Sequence, residues 1–266
     1  MRSQHRNMPG VVILLALLFP FAQSANEARA QGAIIETLEQ LQAVPKAPEF
    51  RGVLPPRVDL SPTVPPPKDQ GPTGSCASWA TTYGAASQAG RRAGLGPSLA
   101  LSPSFTYSKI AGDPRCQVGT AVSLTLNMLR DVGALPFEEF VFDGGWCGRL
   151  PTDAELQRAA MYRIKGWSQF DARVVEKAKA QLARGVPVIF NMRPTAQFMQ
   201  FKGDGVLDIP GVMNGFGHSM LAVGYDDARN AFRIQNSWGR GFGEGGYAWV
   251  SYEFWTRNVQ VGYVID

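Results

Sequence analysis

The stretch "DQGPTGSCASWA", residues 69–80, sets a glutamine and a cluster of turn-formers ahead of a cysteine, Cys76, that stands at the head of a run of small residues. Gly71, Pro72 and Gly74 read as a tight turn, and "CASWATTYGAASQAGRRAG" reads as a buried helix closing at Gly94. A cysteine that opens a helix meets unpaired backbone N–H groups and the positive end of the dipole, both of which favour the thiolate. Cys76 is therefore the candidate nucleophile.

Length and composition bound what surrounds it. The chain has 266 residues, 45% hydrophobic and 18% charged, enough for one large core or two modest lobes. The formal charge is +4, but Lys and Arg are scattered singly and never interleave with aromatics, so no nucleic-acid partner is expected. At the N-terminus, Arg2 and Arg6 precede the apolar run "VVILLALLFPFA", with Ala28 and Ala30 at the spacing of a small-residue cleavage site. Residues 1–30 are read as a signal peptide cut near Ala30, because a membrane span needs about 20 apolar residues and this run is shorter and holds Pro20. The expected localisation is secreted or periplasmic, with no stable membrane insertion once the signal is gone. In such an oxidising compartment three cysteines, Cys76, Cys116 and Cys147, are an odd number that leaves one unpaired.

Working outward, "GAIIETLEQL" places Ile34, Ile35, Leu38 and Leu41 at helical spacing, so a short helix is expected there. A Pro-containing strap follows as far as "LPPRVDLSPTVPPPKDQG", read as a stiff lead-in to the turn. Further helices are expected across "TAVSLTLNMLRDVG", from Thr152 to about Ile164 with Thr152 and Glu155 at capping-box spacing, and across "DARVVEKAKAQLARG". Beyond Gly185 the texture changes to short β-branched or aromatic runs, "VPVIFNM", "SMLAVGY", "AFRIQNSW" and "GYAWVSY", separated by Gly, Asp and Asn. Helices first and strands second imply an α+β chain of two lobes with a cleft between them.

A thiol nucleophile needs a base, and of the two histidines His5 leaves with the signal, which makes His218 the candidate. It lies in "GFGHSMLAVGYDD", between a glycine-rich turn and an apolar strand. In "IQNSWGRGFGEGGYAWV", Asn236 offers an amide oxygen to orient an imidazole, and Trp238 a ring to keep water off it. Cysteine, histidine and asparagine in that order form the set of a cysteine acyl-transfer enzyme. Gly241, Gly243 and Gly246 match a dinucleotide-site spacing but lead into a strand and not a helix, so no cofactor is expected. No Cys, His and carboxylate cluster has the spacing of a metal site.

These segments resemble the papain family of cysteine peptidases, in particular its short bacterial members. "DQGPTGSC", "GHSMLAVGYDD" and "NSWGRGFGEGGYAWV" are similar to its cysteine, histidine and asparagine segments, and 142 residues separate Cys76 from His218 and 18 separate His218 from Asn236. The resemblance implies a helical N-terminal lobe over about 70–170, an antiparallel sheet or barrel lobe over about 171–266, and the active site in the cleft between them. It divides the chain into a signal at 1–30, a propeptide-like extension at 31–54 and a peptidase domain at 55–266. It implies Cys76 as nucleophile, His218 as base and acid, Asn236 as orienter and Gln70 as oxyanion donor. Gly119, Gly217 and Trp238 would contact a peptide or protein substrate, and a monomer is expected.

Two positions depart from the family pattern: Thr73 stands where many members have a bridging cysteine, and Ala77 where tryptophan is usual. With the usual bridge impossible, Cys116 and Cys147 are left to pair with each other. Two other classes fit the same residues. One is a transglutaminase-like acyltransferase, and the other a catalytically silent binding protein on the same fold.

Overall fold

The computed structural model describes residues 32–141, 149–208, 215 and 217–266. The signal segment therefore lies outside the described residues, as does Cys147. Strand β1 (Arg57–Asp59) is followed by a helix that starts as α1 (Cys76–Ser78), continues as a π-helical stretch (Trp79–Ala86) and ends as α2 (Ser87–Arg92). The wide middle has a local cause: the Thr81 hydroxyl donates to the Ala77 carbonyl at 2.7 Å and so competes for a backbone acceptor of the helix. Helices α3 (Pro103–Ala111), α4 (Val122–Asp131) and α5 (Asp153–Ala159) complete the helical half. Thr152 and Glu155 form the expected capping box, which satisfies two of the helix's orphan N–H groups.

The second half alternates β2 (Trp167–Asp171), α6 (Val175–Ala183), β3 (Val188–Met192), α7 (Ala196–Gln200), β4 (Val206–Leu207), β5 (His218–Asp226), β6 (Ala231–Gln235), β7 (Tyr247–Ser251), α8 (Tyr252–Asn258) and β8 (Val261–Ile265). Strand order is β2-β8-β3-β5-β6-β7-β4, with β1 added on β5. Every pairing is antiparallel except β4 with β7. Among the described residues no helix is long and apolar enough to cross a membrane.

The central strands are walls with a core on each side. Along β5, Leu221 and Val223 face the helical half while Met220, Ala222 and Tyr225 face the packing of α6 and α8. The same alternation puts Ile189 of β3 and Tyr263 of β8 against the helices, and Phe190 and Val264 on the far side. Strand β5 is consequently buried over eight successive residues.

The expected helix across Ile34–Leu41 is not formed. Ile34 gives its N–H to the Thr120 carbonyl, so the chain there is extended and a turn begins only at Leu38. After the turn, residues 45–47 bind the edge of β2, with Ala47 N–H donating to Gln169 O and Gln169 N–H to Pro45 O. The proline strap lies over the sheet. The carbonyls of Pro55, Pro65 and Pro66 accept from Tyr225, Gln235 and Tyr83, respectively.

Leu221 joins the two halves of the molecule through one side chain. Leu221→Ala is expected to lower stability by about 2–5 kcal/mol, with unfolding in denaturant remaining a single transition by both far-UV and tryptophan signals.

Candidate active site

Cys76 is the first residue of the helix and is fully buried. The loop ahead of it is braced by side chains. The Thr73 hydroxyl donates to the Gln70 carbonyl at 2.8 Å and lies 2.6 Å from the Ser75 hydroxyl. Gly74 N–H donates to the Cys116 carbonyl. These bonds tie the turn where the family pattern has a bridging cysteine in place of Thr73, and they show how a hydroxyl substitutes for a sulfur link.

The same loop is sewn to the sheet lobe. Gln70 N–H donates to the Ser237 carbonyl, and the Ser237 hydroxyl donates to Gln70 Oε1 at 2.6 Å. Gln70 Nε2 donates to the Thr73 carbonyl at 2.7 Å, which fixes the plane of its amide.

His218 and Asn236 meet at the ends of β5 and β6. His218 Nε2 lies 2.7 Å from Asn236 Oδ1, an oxygen that also accepts from Ser237 N–H. Trp238 stacks on the imidazole with ring centroids 4.3 Å apart and planes 21° apart. Phe198 and Phe242 in turn pack edge-on or tilted around that indole. Both residues of the pair are buried, so the imidazole and amide keep one geometry without competition from water. The neighbouring Ser219 reaches Cys76 with its backbone N–H, while its hydroxyl donates to Asn191 Oδ1 at 2.6 Å. Cys76, His218, Asn236 and Gln70 are thus brought into one place.

The residues ahead of the turn cross this place as a strap. Gly32 and Ala33 both donate to the Gly217 carbonyl, at 3.1 and 2.8 Å, and Ile34 donates to Thr120 O at 3.1 Å. Gly32 also bonds to the Cys76 sulfur through its backbone. The fit depends on glycine: a Cβ on Gly119 would stand 1.4 Å from Gly32 O, and one on Gly217 would stand 2.6 Å from Ala33 O. Gly119 and Gly217, read from sequence as substrate contacts, here hold the chain's own strap, and Trp238 covers the imidazole.

The strap reverses one expectation. Burial pushes the Cys76 thiol above its ordinary range, and the bonds from Ser219, Gly32 and Ala77 only partly offset it. The position at a helix N-terminus favours the thiolate, but exclusion of water outweighs it. Sequence reasoning also missed the approach of Gly32 and Ser219 to the sulfur. No local motif flags them, because their proximity comes from pairing of distant strands.

A helical half and a sheet half meeting at a buried cysteine beside a histidine–asparagine pair form the two-lobed α+β architecture of cysteine proteases. The model of the papain family cysteine proteases matches residues 54–261, and the chain belongs to that family. The solved structure of xylellain, a cysteine protease from Xylella fastidiosa, superposes with a TM-score of 0.75 at 27% identity, over 90% of this chain and 96% of that one. Cathepsin K of Mus musculus is 25% identical over 206 residues, 76% of this chain. The gamete and mating-type specific protein A of Dictyostelium discoideum is 38% identical over 76 residues, 27% of this chain. The chain spans 61% and 16% of the lengths of these two curated relatives, respectively.

Two measurements check this geometry. In the full chain, alkylation of Cys76 by iodoacetamide is expected to rise with pH along a curve displaced upward from that of the unfolded chain, because a raised pKa keeps the thiol neutral to higher pH. Gly119→Ala, which cannot coexist with Gly32 in its present place, is expected to increase that alkylation at pH 7 at least tenfold.

Proposed function

We propose that this chain is an exported cysteine peptidase, secreted or periplasmic, that cleaves peptide bonds through a Cys-His-Asn triad and a covalent thioester. The observation that carries the reading is the buried His218–Asn236 bond beneath Trp238, with Cys76 packed against the residue that follows His218. In this reading residues 31–54 are a propeptide-like extension and 55–266 the peptidase domain.

The chemistry follows from what each group can hold. Asn236 Oδ1 accepts the Nε2 proton, which leaves the other imidazole nitrogen to take the thiol proton. The thiolate attacks the substrate carbonyl. The oxyanion that forms is met by the Cys76 backbone N–H and by Gln70 Nε2, whose amide is already oriented through Ser237. His218 then protonates the departing amine, and the thioester is released by water that His218 activates. A preference for endopeptidase action belongs to the same reading. So does a disulfide between Cys116 and Cys147, which is supported by the burial of Cys116.

With the strap across the sulfur, a substrate cannot reach Cys76 until residues 32–34 withdraw. Removal of residues 31–50 is therefore expected to raise the rate of labelling by an epoxysuccinyl thiol-protease inhibitor, and an unchanged rate would sink this part of the reading. Cys76→Ala is expected to abolish labelling and cleavage of a peptide library. Gln70→Ala is expected to lower turnover about 10²–10³-fold while leaving labelling detectable. A folded protein that neither labels at Cys76 nor cuts any peptide would overturn the peptidase. Products that form only when an amine acceptor is supplied would point to an acyltransferase.

A further inference from the structure

The strap does more than cover the sulfur, because its side chains occupy space that the cleft offers to something else. Ile35 and Glu36 sit against a cavity of about 120 Å³ whose other walls include Asn191, Arg193, Arg257, Gln260 and Tyr263. Glu36 Oε2 accepts from two donors, the Ser123 N–H at 3.1 Å and the Tyr263 hydroxyl at 3.1 Å. Ser123 is in the first turn of α4, where free N–H groups and the helix dipole favour an anion. The strap has thus placed a carboxylate where two donors from opposite lobes converge.

The rest of the lining has the same polarity. Asn191 is 5% exposed. Its Oδ1 accepts from the Ser219 hydroxyl at 2.6 Å, so its Nδ2 is the group left over, and that buried nitrogen has no hydrogen-bond partner among the described residues. Arg193 stands exposed at the rim and makes no ion pair among the described residues. Arg257 is already paired with Glu253 one helical turn away, so Arg193 is the cation on the lining that has no ion pair among the described residues. An apolar side chain in this space would take from the Tyr263 and Ser123 donors the acceptor they now have and would offer none to Asn191 Nδ2.

Resting on the peptidase reading, we propose that this cavity is a specificity pocket of the cleft and that it takes an acidic side chain of the substrate in the place Glu36 now fills. The strap is then a stand-in for substrate at two levels. Its backbone bonds to Gly217 and Thr120 replace those of a bound peptide, and its Glu36 carboxylate replaces the recognised side chain. Burial and the neighbouring Glu36 push Tyr263 above the ordinary phenol range, so its hydroxyl remains a donor to whichever carboxylate is present.

The test uses the full chain carrying Gly119→Ala, whose Cβ would stand 1.4 Å from Gly32 O and so displaces the strap from the sulfur, together with Ile35→Ala and Glu36→Ala, which empty the pocket, and a peptide library varied at each position. The expected result is that one position prefers Glu or Asp over Gln and Leu at least tenfold in kcat/KM. Arg193→Glu on that background is expected to shift the preference at that position to Lys or Arg, Arg193→Lys to restore Glu, and Tyr263→Phe to shrink the Glu-over-Gln ratio. Cleavage with an apolar preference at every position, or an acidic preference that Arg193→Glu does not move, would overturn the pocket while leaving the peptidase standing. No cleavage together with no Cys76 labelling by an epoxysuccinyl inhibitor would overturn the peptidase reading and the pocket with it.

Discussion

The register between β5 and β6 is the constraint on which the site depends. At the hairpin end Asp226 faces Ala231 and Tyr225 faces Phe232, but a bulge between Ala222 and Gly224 shifts the pairing so that Leu221 faces Gln235. Just beyond that pair the second strand runs on into Asn236 and Trp238, which both reach His218. Stacking of the indole on the imidazole and the 2.7 Å bond to Asn236 follow. A bulge adds one residue to one strand and re-aims all the side chains beyond it. Without the extra residue at Val223, the part of the strand that carries His218 would be displaced by one residue relative to β6. The 18-position step from His218 to Asn236 thus spans a hairpin with a bulge, and the interval is a consequence of its geometry.

Burial decides the state of the sulfur. A helix N-terminus stabilises an anion by about 0.3–1 kcal/mol, and up to about 2 in partly buried settings, whereas an ion taken out of water loses several kcal/mol. The strap supplies that exclusion from water. With Gly32 in place, the cysteine sits at the end of a helix and burial still pushes its thiol above the ordinary range. In the proposed reading this is a resting state, relieved when the strap withdraws.

The loop before Cys76 shows how far the sequence could be read. Gln70, Cys76, His218 and Asn236 stand out by residue type, order and spacing, and the structure brings all four together. Thr73 looked like a missing bridge, and only the fold shows its hydroxyl bonded to Gln70 and Ser75. Helix α3 carries legible signals, Ser102 as cap, Pro103 after it and Gly112 at its end. Its apolar residues are too few to announce a helix, and its stability comes from packing on α4 and the central helix. Strands β2 and β8 went unread for a similar reason, since "WSQFD" has polar residues that are buried only because β8 and residues 45–47 cover them. The helix expected at Ile34–Leu41 failed because periodicity cannot show that Gly217 and Thr120 compete for the same backbone groups.

By itself the sequence determined which residues can do chemistry, because a thiol, an imidazole and an amide are properties of side chains and their order along the chain is local information. It also determined the division into a helical half and a strand half, since capping residues and β-branched runs act over a few positions. Tertiary structure alone decided the protonation of Cys76, the occupation of the cleft by residues 32–36 and the gathering of donors around Glu36. Each of these depends on which distant groups exclude water from one another, and burial is a property of the packed molecule that no segment carries alone.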